Sequence, residues 1–179
     1  MDPAARKGRV ADVALGRLQA GGFASTTLGD IARAADLREA DVRALFGDEE
    51  GLMRELVTPL LDRLRRVVTT AAGADLGHAA DLRQVVEGYL DALVAHRTLV
   101  AVVLGDPSAG ASESVREVRS ALVALREELA GGAGAGLDRT IRAASALGAV
   151  HAAALELADA DPDTVRVVVT EATVAILLP

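Results

Sequence analysis

Arg38, Glu39, Asp41 and Arg43 place four charges, two of each sign, within six residues. Guanidinium groups so spaced can meet phosphate oxygens or base edges, and a carboxylate such as Glu39 can accept from cytosine N4. The plainer reading is a solvated helix face. Arg6, Lys7 and Arg9 form a basic cluster that suits an arm lying along a nucleic-acid backbone or minor groove, or else a disordered tail. Elsewhere chemistry is scarce. With one Tyr, two Phe, no Trp and three His, polar-tipped rings are few. An apolar ligand pocket needs a small number of such orienting groups, which makes Tyr89 and His96 candidates for contact with a small molecule, against ordinary packing. His151, set among Ala149, Val150 and Ala152, reads as a core or interface histidine, and His78 as exposed. Asp159-Ala160-Asp161-Pro162-Asp163 opens like a calcium loop, but Thr164 and Thr170 stand where glycine and the closing acid are required, so no metal is expected. Gly131–Gly136 neither follows a strand nor carries a phosphate-binding fingerprint. No nucleophile–base order or carboxylate pair stands out, and neither an enzyme nor a cofactor is expected.

Of the 179 residues, 51% are apolar and only 2% aromatic, so the core must be built from Ala, Val and Leu. No cysteine is present, which excludes disulfides and thiolate chemistry and fits a reducing cytoplasm. The net charge of −7 sets the whole-molecule field against nucleic acid and anionic membranes. The longest apolar runs, Leu99–Gly105 and Val167–Leu178, fall short of the roughly 18–20 residues of a membrane span, and the second contains Glu171. No apolar signal segment follows Asp2. A cytoplasmic protein without membrane contact is the expectation.

The elements that must position these residues are helical throughout. Val10, Val13, Ala14 and Leu18 lie at helical spacing, and Gly21-Gly22 ends that helix. Thr27 and Asp30 have the spacing of a capping box, opening a short helix with Leu28, Ile31, Ala32 and Ala35 on one face. Asp36-Leu37 breaks it, and Val42, Leu45 and Phe46 mark a third. Asp48 caps a longer fourth helix whose buried face carries Leu52, Met53, Leu56, Leu60, Leu64, Val67 and Ala71, with a bend at Pro59. Helices are then expected over Asp81–Ala95, Thr98–Leu104, Ser112–Ala130, Leu137–Ala158 and Pro162–Leu178, with a loop at Gly131–Gly136. The Val-rich stretch Val165–Val169 could be a strand on propensity, but Asp161-Pro162 reads as an N-cap followed by proline in the first turn, which favours a helix. The chain is expected to be all-α, with about nine helices. The second and third helices, joined by a tight turn, suggest a helix-turn-helix over residues 27–46.

Gly22-Phe23-Ala24-Ser25-Thr26-Thr27-Leu28-Gly29-Asp30-Ile31-Ala32, continued by Phe46, Asp48, Glu50 and Leu52, closely resembles the DNA-binding domain of TetR-family transcriptional regulators. The resemblance is strong from about Arg6 to Val57 and weaker beyond. It implies a DNA-binding domain over residues 4–55 and a ligand-binding and dimerisation domain over 56–179. It further implies a homodimer, a palindromic operator in double-stranded DNA, and a small apolar effector that moves the fourth helix and so separates the recognition helices. Thr27, Arg38, Glu39, Asp41 and Arg43, with Arg6, Lys7 and Arg9, become the DNA-facing residues; Tyr89 and His96 the ligand-facing ones. The last two helices would form the dimer interface, through Ile141, Ala144, Gly148, His151, Leu155, Val165, Val168, Val169, Ala172 and Ile176.

The departures from the family lie where DNA is touched. Asp36 replaces the usual turn glycine, Arg38 the usual Ser or Thr cap, Ala40-Asp41 a Gly-Thr or Gly-Ser pair, Arg43 a phosphate-contacting Tyr, and Glu49 a Lys. Residues 1–55 hold eight basic and ten acidic side chains, where a phosphate-binding face shows a basic excess. Two readings therefore stay open: a ligand-responsive repressor, or a protein of the same fold that has lost DNA binding and serves as a binding or interaction module. Catalysis in the pocket is a remote third.

Overall fold

The computed structural model describes residues 3–157 and 159–178. Among these, the regular elements are α1 (Pro3–Gly21), α2 (Leu28–Ala34), α3 (Glu39–Phe46), α4 (Glu49–Gly73), α5 (Ala79–Ala95), α6 (Arg97–Gly105), α7 (Glu113–Ala130), α8 (Leu137–Glu156) and α9 (Pro162–Leu177). A short 3-10 turn, Pro107–Ala111, follows α6 and has no counterpart in the sequence expectation. The chain is all-α, as expected. No single described helix is long and apolar enough to cross a membrane. The expected end of α8 at Ala158 lies outside the described residues.

Local chemistry accounts for the boundaries. Thr27 and Asp30 form a reciprocal capping box at the start of α2: Thr27 Oγ1 accepts from the Asp30 amide at 3.2 Å, and Asp30 Oδ2 accepts from the Thr27 amide at 3.3 Å. Asp36, at φ 58°, ends that helix in the left-handed region. Leu37 N then donates to Ala32 O at 2.9 Å and Asp36 N to Arg33 O at 3.3 Å, the two bonds of a Schellman stop. Asp48 Oδ1 caps α4 by accepting from Gly51 N at 2.7 Å. The Val-rich stretch is helical because Asp161 accepts from Thr164 N at 2.8 Å, and Pro162 is pre-set for the first turn.

Two compact units form. The first contains the residues up to Pro59 together with Thr98–Val118. Its core is Val10, Ala14, Leu18, Leu28, Ile31, Ala32, Val42 and Phe46, all buried. Two carboxylates bring the distant segment in. Asp106 accepts from Phe23 N at 2.6 Å and from Ser108 N at 2.8 Å. Glu50 accepts from Ser114 N at 2.8 Å and Ser114 Oγ at 2.6 Å. Residues 98–118 therefore belong to the first unit.

The second unit contains Leu60–Arg97 and the residues from Arg119 onward. Its small side chains, Ala143, Ala146, Ala153 and Ala154 on α8, are buried and let helices pack closely against Leu82, Val85, Val86, Leu90 and Leu93 of α5. Arg83 bridges α5 to Glu171 of α9 at 2.6 and 3.1 Å, and Arg166 of α9 pairs with Asp91. Arg97 Nε donates to Ala154 O at 2.7 Å.

Candidate nucleic-acid interface

Val42 and Phe46, buried, anchor α3 in the first unit. The opposite face of α3 presents Arg38, Glu39, Ala40, Arg43 and Ala44, all exposed. The junction behind it depends on Gly51, which the sequence reading did not single out. A Cβ there would stand 1.9 Å from the Phe46 carbonyl oxygen, so only glycine lets the first turn of α4 lie against the end of α3. Its sole signal in the sequence is a glycine in the first turn of an otherwise apolar helix.

Two acids of α3, Glu39 and Asp41, are ion-paired. Arg38 stands at the N-cap of α3 and makes a two-point contact with Asp41, Nε to Oδ2 at 2.9 Å and Nη2 to Oδ1 at 2.8 Å. Arg43 Nη2 donates to Glu39 Oε1 at 2.9 Å, one turn away. The Arg38 hydrogen bonds hold the Asp41 carboxyl below its ordinary range, and Asp41 in turn raises Arg38. Glu39 does the same to Arg43. Both pairs are surface features and contribute little to stability.

The basic cluster is neither an arm nor a tail, which corrects the sequence expectation. Arg6, Lys7 and Arg9 lie on the first turns of α1, whose apolar face runs from Val10 to Leu18. Lys7 Nζ donates to Glu55 Oε2 at 2.7 Å and rests 5.6 Å from the centre of the Phe46 ring. Arg6 Nε is buried without a partner, and Arg9 alone of the three is exposed. Thr27 is exposed, but its hydroxyl is committed to the α2 cap, where it also donates to Asp30 Oδ2 at 2.7 Å.

In the second unit the two expected ligand-facing residues are not brought together. Tyr89 is 1% exposed, and its hydroxyl is hydrogen-bonded to His151 Nε2, with ring centroids 5.5 Å apart. Burial pushes the Tyr89 hydroxyl up and holds the His151 imidazole below its usual value. His96 caps the end of α5, its Nε2 buried and unpartnered; burial, and then the Arg63 charge, lower its pKa. A hollow of about 120 Å³ is lined by Leu90, Val94, Ala153, Leu157 and Val165 among others. Larger ones lie beside Arg139 and Arg142 (about 230 Å³) and beside Arg63 and Arg66 (about 280 Å³). None of the three is lined by Tyr89 or His96.

The residues expected at a dimer interface divide by burial. Ile141, Ala144, Gly148, Val168 and Ala172 are exposed on α8 and α9, with Ile141 at 55% and Val168 at 60%. His151, Leu155, Val165 and Ile176 are half-buried. Val169 is a correction: it is buried within its own protomer, one position past the outward-facing Val167 and Val168.

Scanned against protein-family models the chain matches none, and no curated protein is significantly similar to it in sequence. Solved structures share its fold. A TetR-like transcriptional regulator from Rhodococcus sp. RHA1 superposes with a TM-score of 0.70 at 20% identity, over 99% of this chain and 96% of that one. The TetR-family regulator PfmR from Thermus thermophilus gives 0.66 at 16% identity, over 94% and 97%. A TetR-family regulator from Bordetella parapertussis 12822 gives 0.66 at 16% identity, over 96% and 93%. Over nearly its whole length, the chain has the fold of TetR-family transcriptional regulators.

Proposed function

We propose that the protein is a TetR-like transcriptional regulator that binds a palindromic operator as a homodimer and releases it when a small apolar effector occupies the second unit. The observation that carries this reading is the first unit itself. A capped α2, a Schellman turn and an anchored α3 make a helix-turn-helix that holds Arg38 and Arg43 clear of the protein, as insertion into a major groove requires. Dimerisation is supported by the uncovered apolar stripe of Ile141, Ala144, Gly148, Val168 and Ala172. The effector's route to DNA would be α4, which contributes residues to both units.

One observation favours the rival, a fold that no longer binds DNA: both arginines of α3 are already paired to carboxylates of the same helix. Salt-dependent binding to duplex DNA separates the two readings. In a working regulator, Arg43→Ala weakens binding to all duplexes and lowers the salt slope by about one unit, the signature of a lost phosphate contact. No measurable binding by the native dimer at low salt would favour the rival.

A further inference from the structure

Asp41 puts a negative charge on the face of α3 that would meet DNA. Its geometry suits a different role. A guanidinium carries five N–H donors in a rigid plane. Asp41 engages one edge of Arg38, through Nε and Nη2, at 2.9 and 2.8 Å. The other edge, formed by Nη1 and the second Nη2 hydrogen, keeps two parallel donors. That pair matches the O6 and N7 acceptors of guanine in the major groove. The two groups also differ in depth. The Arg38 side chain is 82% exposed and that of Asp41 only 29%, so the guanidinium stands forward and the carboxylate behind it. Arg38 occupies the N-cap of α3, and the N-terminal residues of a recognition helix are those that reach base edges. Arg43 differs: a single contact from Nη2 to Glu39 leaves its plane free to turn, as a phosphate contact tolerates.

We infer that Arg38 reads a guanine in each half-site and that Asp41 is its positioning residue, holding the guanidinium plane so that its free fork faces the base. This rests on the reading of the protein as a DNA-binding regulator. It turns the acidic substitution at position 41 from a penalty on affinity into a determinant of sequence preference. An arginine already held in one plane loses less freedom on meeting a base than a free one.

The test uses the full-length protein and the duplex it enriches from a random pool. A guanine should be fixed at one position of each half-site. Replacing that guanine with 7-deazaguanine, which lacks the N7 acceptor, should weaken native binding about tenfold or more, as expected for one bidentate base contact. Arg38→Ala removes the fork, so it should bind the natural and 7-deaza duplexes alike. Asp41→Ala should shrink the guanine preference several-fold at that one position, while binding to unrelated duplexes holds or rises. Thermal melts of each variant confirm that α3 remains folded. The inference is overturned if no half-site guanine responds to the 7-deaza change, or if Asp41→Ala raises affinity for every duplex and leaves each base preference intact. Failure to enrich any duplex would overturn the DNA-binding reading itself, and is distinct from both of those outcomes.

Discussion

At the scale of single residues, Tyr89 carries a polar hydroxyl into a position only 1% exposed. Tyr89 and His96 are each candidates for ligand contact in the sequence because both are polar-tipped rings in an apolar segment. The structure pairs Tyr89 with His151, 62 residues away, a contact that only helix packing creates. Tyr89→Phe leaves the imidazole nitrogen of half-buried His151 without its partner and should cost about 1 kcal/mol of stability, measured by denaturant unfolding. The same pair gives a pH dependence. Burial lowers His151 below its ordinary 6.5 in the folded state. As pH falls through the unfolded value, the unfolded chain therefore takes up more protons than the folded one, and stability declines toward the folded pKa. Unfolding at pH 7 and pH 5 should show this loss, and His151→Gln should flatten part of it. His96, also lowered by burial, supplies a further share.

At the scale of elements, much was legible, because caps and breaks are local chemistry. Thr27 with Asp30, Asp48, and Asp161 with Pro162 marked helix starts that the structure keeps, each by a side chain bonding an amide three residues on. The Val-rich stretch could be resolved as helix only by weighing its flanks against its propensity. What local pattern could not show was the capture of Thr98–Val118 by the first unit, since the hydrogen bonds that hold it join residues 63 to 83 apart. Gly51 was missed for a related reason: its need for glycine comes from the Phe46 carbonyl, a close approach that no spacing rule encodes. Asp36 is the converse case, noticed as a departure and explained by its backbone. An L-residue other than glycine at φ 58° carries strain that aspartate only partly relieves. Asp36→Gly should therefore stabilise the first unit by about 0.5–1 kcal/mol net of the extra freedom of the unfolded chain. Calorimetry showing a lower melting temperature would count against this account of the turn.

At the scale of the whole molecule, net charge and local charge differ. A value of −7 opposes DNA binding as a long-range field, yet at α3 each acid is matched to an arginine within four residues. Local pairing decides what a partner meets at contact distance, and a formal sum over residues 1–55 does not register it. The apolar stripe on α8 and α9 was legible in advance, because Ala, Gly and Val recur there on more faces than one protomer can bury. The exception was Val169, whose inward turn depends on the helix phase. Ile141→Arg together with Val168→Arg places two charges in that stripe and should give a monomer by sedimentation at micromolar concentration, where the native chain should sediment as a dimer. A native monomer would contradict the assembly proposed here. The account as a whole stands on whether this helix-turn-helix reads DNA. Selection from random duplexes by the purified protein at physiological salt should enrich a two-fold symmetric sequence, its half-sites separated by about one helical turn or a multiple of it. A folded, dimeric protein that enriches no sequence would contradict it.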